Sequence, residues 1–317
     1  MRILLTGVTG FAGGHLAEAL LARPQVELFG ASRRAEWPGH WRHLEGRVVL
    51  LTCDLRDPAA AEDVVRRAQP DWLFHLAGYA QPGRSLQEPD SAWAANLGAT
   101  RVLYDAVHRW GGSPRIVYAG SGLVYGDGDG TGRPFHEDAP LRPVSPYATS
   151  KAAADLLSYQ YTRSHGLDIV RVRPFNHIGP RQSPDYAVAN FARQIAAIEK
   201  GEQAPVLETG SLASYRDLSD VRDVARAYVL LADHGRPGEV YNVASGTADT
   251  MQAVLNHLLR LARQRVDVRP QDTLQRAAEA RVLRGDAAKL RRETGWAPGF
   301  SLEQTLADTL AYWREQP

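Results

Sequence analysis

Tyr147 and Lys151 stand four residues apart in Ser-Pro-Tyr-Ala-Thr-Ser-Lys, so both side chains share one face of any helix this stretch opens. A lysine ammonium beside a phenol favours the phenolate, which suits the pair to moving a proton at an oxygen. Ser121, at the end of an apolar run, is placed to give that oxygen a second hydrogen bond. Of 37 basic residues only Lys151, Lys200 and Lys289 are lysine, so a lysine kept here in an arginine-rich chain stands out. Alone, Tyr-x-x-x-Lys is a common accident on helices. It gains weight from the start of the chain, where Gly7, Gly10 and Gly13 stand three apart between an apolar run and a helical pattern. Such glycines make a tight turn that brings backbone N–H groups close to a pyrophosphate, and the helix N-terminus adds a favourable dipole. The alternative is a glycine-rich turn in an ordinary α/β unit.

These residues need a scaffold of alternating strands and helices. Ile3 to Thr6 reads as a buried strand and His15 to Ala22 as the helix after it. Val26 to Ala31 is a second strand, ending at Ser32-Arg33-Arg34, where a nucleotide-binding βαβ unit holds the adenosine ribose. Two arginines there, with no acid before Glu36, favour a 2′-phosphate and so NADP(H), although a solvated basic turn would look the same. Val48 to Thr52 and Trp72 to Ala77 are further strands. Asp54, after the first of these, either holds the adenine amino group or, like Asp57, caps the helix Pro58 to Ala68. His75 reads as a packed strand histidine. Asn96, inside a helix from Asp90 to Trp110, either faces the cofactor or is merely tolerated. Arg115 to Ala119 is the strand before Ser121, and Asp127 to Pro146 a long surface loop of the kind that covers a site.

Beyond the Tyr147 helix, which runs to about Ser164, Asp168 to Arg173 is a sixth strand, and the alternation then loosens. Helices are expected at Val188 to Lys200, Val221 to Asp233, Thr250 to Arg263 and Ser301 to Trp313, with a short extended piece at Tyr215 to Ser219 and a strand at Val240 to Val243. The pattern predicts a Rossmann-like doubly wound parallel sheet with a smaller mixed α/β substrate domain. The chain is expected to cross back once, so that 1–175 and 216–243 form the dinucleotide domain and 176–215 and 244–317 the substrate domain.

Composition narrows the functional class. A net charge of +1 over 317 residues gives no reason to expect nucleic acid or an acidic membrane. The single cysteine, Cys53, rules out an intrachain disulfide, and no Cys/His spacing suggests a metal. No signal peptide or membrane-length apolar run is visible, so a cytoplasmic location is expected.

Taken together, the motifs resemble the extended short-chain dehydrogenase/reductase family that modifies nucleotide sugars. They are Thr6 to Gly13 (T-G-V-T-G-F-A-G), Cys53 to Leu55 (C-D-L), His75 to Gly78 (H-L-A-G), Ser121 to Gly126 (S-G-L-V-Y-G), Tyr147 to Lys151 (Y-A-T-S-K), Arg173 to Pro180 (R-P-F-N-H-I-G-P) and Tyr215 to Asp223 (Y-R-D-L-S-D-V-R-D). The resemblance spans essentially the whole chain. It implies that Ser121, Tyr147 and Lys151 are the catalytic set. The cofactor surface it implies is Gly7, Thr9, Gly10, Phe11, Ala12 and Gly13, then Ser32, Arg33 and Arg34, then Asp54 and Leu55, then Leu76, Ala77 and Gly78, with Asn96, Tyr147 and Lys151. Asn176, Arg216 and Arg276 match residues that grip a substrate diphosphate, although the proline that usually follows the last of them is absent. Arg181, where the most similar subfamily usually has glycine, joins Ser121 on the substrate side.

Dehydratases and decarboxylases of the family carry a carboxylate pair, or at least a glutamate, just after the catalytic Ser/Thr. Here those positions are Gly122 and Leu123, and leucine cannot move a proton. The implied reactions are therefore NADPH-dependent reduction of a 4-keto-6-deoxy nucleotide sugar, or 4-epimerisation with a retained NAD. The stretch from Arg173 to Gly201 looks most like GDP-6-deoxy-4-keto-D-mannose reductases, which form GDP-D-rhamnose. A non-catalytic NADP-binding sensor or scaffold is the reading from another class; such relatives tend to lose the tyrosine or the lysine. The family also implies a homodimer through the helices at Asp90 to Trp110 and Tyr147 to Ser164.

Overall fold

The computed structural model describes residues 1–127, 132–271 and 282–316. A parallel sheet of seven strands forms its centre, in the order β7-β6-β5-β4-β1-β2-β3. The strands are β1 (Arg2–Thr6), β2 (Glu27–Ser32), β3 (Val49–Thr52), β4 (Trp72–His75), β5 (Arg115–Ala119), β6 (Ile169–Pro174) and β7 (Val240–Val243). They alternate with α1 (Phe11–Leu21), α2 (Pro58–Ala68), α3 (Pro89–Trp93), α4 (Ala99–Trp110), α5 (Pro146–His165), α6 (Ala187–Glu199) and α7 (Val221–His234). Helices α8 (Met251–Leu261), α9 (Ala288–Thr294) and α10 (Leu302–Glu315) complete the chain.

Both faces of this sheet are covered, which is why its strands read as near-continuous apolar runs. Successive side chains split between two cores: Ile3, Leu5, Phe74, Val117 and Val172 face α1 and α7, whereas Leu4, Leu73, Ile116 and Ile169 face α2, α4 and α5. A third core, with Ile178, Phe191, Leu207, Leu255 and Leu310, unites α6, α8 and α10 in a smaller lobe. Strand β7 pairs in parallel with β6, so the chain does return from that lobe to the sheet.

Three details depart from the sequence expectations. Helix α1 starts at Phe11 rather than His15, because Gly13 and Gly14 are held by contact rather than by propensity. A Cβ on Gly14 would lie 2.1 Å from the Trp41 ring, and one on Gly13 would lie 2.1 Å from the Gly7 carbonyl oxygen. The expected helix from Asp90 to Trp110 is broken by a wider π turn over Ala94–Gly98, which is where Asn96 sits. The extended piece at 215–219 is two short strands, Tyr215–Arg216 and Leu218–Asp220, paired to different neighbours. Among the described residues no helix is long and apolar enough to cross a membrane.

Candidate active site

A cleft of about 1500 Å³ runs along the carboxyl edge of the sheet, where the strand order reverses between β1 and β4. Gly7 leaves β1 there with φ +74°, and a Cβ on it would come within 2.8 Å of the Ala77 nitrogen. The glycine turn and the end of β4 are thus in backbone contact. Helix α1 opens on the cleft with no side-chain cap and no acid in its first turn. By contrast α2, α5, α7, α8 and α10 are capped by Asp57, Ser145, Asp220, Thr250 and Ser301. The first N–H groups of α1 and their dipole are therefore available to an anion.

Thr9, Phe11, Ala12, Leu76 and Gly78 line the same end of the cleft, together with Ser32, Arg33 and Arg34 after β2. Ser32 Oγ lies 2.9 Å from Thr9 Oγ1 and accepts from the Arg34 N–H, which fixes the turn that carries the two arginines. Among the described residues neither guanidinium forms an ion pair, so both are presented to the cleft. Asp54 and Leu55 line it beside them, but Asp54 is engaged by Arg56, which holds its carboxyl down at about 2. It is Asp57, not Asp54, that caps α2. A Gly-rich cradle that a Cβ would fill, an uncapped helix and these two arginines fit a dinucleotide with a 2′-phosphate.

Past the carboxyl end of β5, Ser121, Tyr147 and Lys151 line the cleft together, each less than a tenth exposed. Ser121 accepts from the Leu123 N–H, and its hydroxyl acts on the Tyr147 phenol, opposing the rise of that group's pKa. Lys151 Nζ donates to the Ala119 carbonyl at 2.8 Å, and burial lowers its pKa to about 8. The expected lowering of the Tyr147 pKa by this ammonium is corrected. Burial pushes the phenol up, only Ser121 opposes it, and the lysine is turned toward Ala119. Tyr147 is thus a protonated donor in this arrangement.

Asn96 does not line the cleft. Its Oδ1 accepts from the Tyr79 N–H at 2.8 Å and its Nδ2 donates to Ser150 Oγ at 3.0 Å, so it holds the Gly78–Tyr79 backbone against α5 from behind. Arg181 also points elsewhere: it adopts φ +70°, pairs with Glu18 of α1 and stacks 4.6 Å over Trp41. Asn176 and Arg216 line the cleft on the side of the smaller lobe. Arg276 lies outside the described residues. His75 is fully enclosed, bonded to Thr6 and Thr100, and kept neutral by burial, which lowers its pKa to about 3.

The family model of GDP-mannose 4,6 dehydratase matches residues 4–309. The chain belongs to this family of extended short-chain dehydrogenases/reductases. Over 315 residues it is 35% identical to the GDP-6-deoxy-D-mannose reductase of Pseudomonas aeruginosa, covering 99% of this chain and 98% of that one. Its structure is similar to that of RMD from Pseudomonas aeruginosa complexed with NADPH, with TM-score 0.86, 33% identity and 99% of each chain covered. It is also similar to the UDP-glucose 4-epimerase of Thermus thermophilus in complex with NAD, with TM-score 0.87, 30% identity and 99% of each chain covered.

The family's motif residues are held by a buried network that sequence reasoning missed. Asp155, one turn beyond Lys151 and wholly buried, receives Arg173 Nε at 2.9 Å and Arg171 Nη1 at 2.7 Å. Arg173 also donates to the Tyr125 hydroxyl, whose own proton goes to Asn242. Helix α5, strands β6 and β7 and the 3-10 turn Gly122–Tyr125 after Ser121 are riveted together in this way. Also missed were Tyr186, whose hydroxyl reaches across to the Ala80 carbonyl at 2.5 Å, and Tyr228, both lining the cleft. No local motif marks either one.

Proposed function

We propose that this chain reduces the 4-keto group of a 4-keto-6-deoxy nucleotide sugar with NADPH, converting GDP-4-keto-6-deoxy-D-mannose to GDP-D-rhamnose. The observation that carries this choice is Leu123. It lines the cleft beside Ser121, while Gly122 is closed off by Phe175, whose ring a Cβ there would meet at 2.9 Å. No side chain at either position can move a proton at a second carbon, which leaves chemistry at one carbinol or ketone carbon.

NADPH, when bound, supplies the hydride. Gly7 to Gly13 and the start of α1 would hold its pyrophosphate, Ser32, Arg33 and Arg34 its 2′-phosphate, and Asp54 and Leu55 its adenine end. Ser121 and Tyr147 hold the keto oxygen, and Tyr147 gives that oxygen its proton. Lys151 then faces a phenolate one helical turn away, where its ammonium is stabilising. Asn176 and Arg216 take the diphosphate from the opposite wall. We assign 1–175 and 216–243 to the dinucleotide domain and 176–215 and 244–317 to the sugar domain; the separate core of the smaller lobe supports this for α6, α8 and α10, whereas Leu283, Leu290 and Trp296 pack in the core of the large sheet. We also propose a homodimer in the cytoplasm, joined through α3, α4 and α5. Leu156 and Tyr159 of α5, 58% and 46% exposed, are the apolar side chains such a face would cover.

The test is NADPH oxidation, followed by its absorbance, with GDP-4-keto-6-deoxy-D-mannose. Wild type should turn over, and Tyr147→Phe should lose about 10²–10⁴-fold in kcat while keeping its affinity for NADPH. Turnover of UDP-glucose without added cofactor would select epimerisation instead.

A further inference from the structure

Five tyrosines belong to the most deeply buried large side chains: Tyr104, Tyr118, Tyr125, Tyr228 and Tyr241. Four of their hydroxyls are satisfied, by Ser158, the Lys151 carbonyl, Asn242 and Glu293 in turn. Tyr228 is the exception: its hydroxyl has no hydrogen-bond partner among the described residues. Its ring packs in the core with Val224 and Leu231 of the same helix, and the residue is 2% exposed, yet it lines the cleft. The hydroxyl oxygen is not among the enclosed polar atoms left without a partner, so it is the part of this buried residue that is open to the cleft, and a polar group set in an apolar wall gains by pairing with a ligand.

The placement says what kind of partner is absent. Helix α7 covers the sheet face opposite to α5, so Tyr228 and Tyr147 approach the carboxyl edge from opposite sides. Side chains on a helix lean toward its N-terminus, and α7 begins beside Gly179 at the rim of the cleft. Burial, and to a lesser degree the nearby Tyr147 phenol, keeps the Tyr228 phenol protonated far above neutral pH, so it is an O–H donor.

We propose that Tyr228 is a third ligand-binding hydroxyl of this cleft, donating to a neutral acceptor oxygen of a bound ligand on the side facing away from Tyr147. This inference rests on the reductase reading. Two sources offer that oxygen, the carboxamide of the nicotinamide and a hydroxyl of the sugar.

Tyr228→Phe removes only the hydroxyl, and three measurements decide. The ligand-free variant should melt at the wild-type temperature, because no bond within the protein is lost; a hydroxyl with a structural role would lower Tm instead. NADPH affinity is measured by fluorescence titration, with 2′,5′-ADP, which has no nicotinamide, as control. A Kd for NADPH raised about three- to tenfold, with 2′,5′-ADP unchanged, identifies the carboxamide. An unchanged Kd for NADPH, with KM for GDP-4-keto-6-deoxy-D-mannose raised by a similar factor, identifies the sugar. A lowered Tm of the free protein, or affinities all within twofold of wild type, overturns the proposal. Wild type that binds NADPH but turns over no keto sugar would sink the reductase reading alone, and the dinucleotide arm would still judge Tyr228.

Discussion

Lys151 carries a cost beside its proposed role. Enclosed at the floor of the cleft, it releases its proton at about pH 8, whereas the unfolded chain holds that proton to about 10.5. Between those values the unfolded state binds more protons, so stability rises with pH through this window, on the order of 3 kcal/mol in all. Lys151→Met should flatten that rise, as measured by urea unfolding at stepped pH, and parallel curves for the two proteins would show that burial does not penalise the charge. At the far end of the same cleft, Arg33 and Arg34 test the choice of cofactor. Replacing both with alanine should weaken NADPH by about 10–100-fold and leave NADH unaffected in binding titrations. Equal weakening of both dinucleotides would make the pair a general phosphate attractor rather than a 2′-phosphate reader. That Ser121, Tyr147, Lys151 and the two arginines would gather along one cleft was legible, because each sits at the end of an apolar run or on a helix with fixed spacing. Tyr228 and Asp155 were not, since their roles arise only where separate elements meet.

At the scale of elements, strands β1 to β7 were readable because burial leaves them largely apolar, with Arg171 and Arg173 of β6 among the charged exceptions. What escaped were departures driven by contact. The π turn at Ala94–Gly98 follows from Asn96 reaching two partners on different segments, a demand that no helical periodicity records. Helix α5 shows the same principle in its energetics. Residues 147, 151 and 155 are spaced by four along it, and the lowest of them, Asp155, is clamped by Arg171 and Arg173 of β6 with no exposure to solvent. Removing one member of such a buried cluster strands the others. Asp155→Ala should therefore cost about 3–5 kcal/mol by denaturant unfolding. Because Arg173 also holds Tyr125 in the turn after Ser121, turnover should fall in the fraction that remains folded. Loss of stability with unchanged kcat would mean that the turn keeps Ser121 in place without this clamp.

For the molecule as a whole, the question is how a chain that leaves the sheet and returns keeps both walls of one cleft in register. Asp217 answers much of it. Wholly buried, it accepts from the Ser245 N–H and hydroxyl, the Gly246 N–H and the Gly285 N–H, which lie in chain segments far apart in sequence. Arg216, which lines the cleft on the side of the smaller lobe, is its neighbour in sequence, and the short strand that ends at Arg216 pairs with Asp249–Thr250 and Val282–Leu283. Asp217→Asn keeps the shape but turns one acceptor into a donor that must face other N–H groups. The mismatch should cost about 1–3 kcal/mol in unfolding experiments. Its functional effect should be one-sided: KM for the nucleotide sugar rises as the Arg216 wall loosens, while NADPH affinity, set by the glycine turn across the cleft, stays the same. If both constants shift together, Asp217 supports the entire cleft and the two walls are not independent parts.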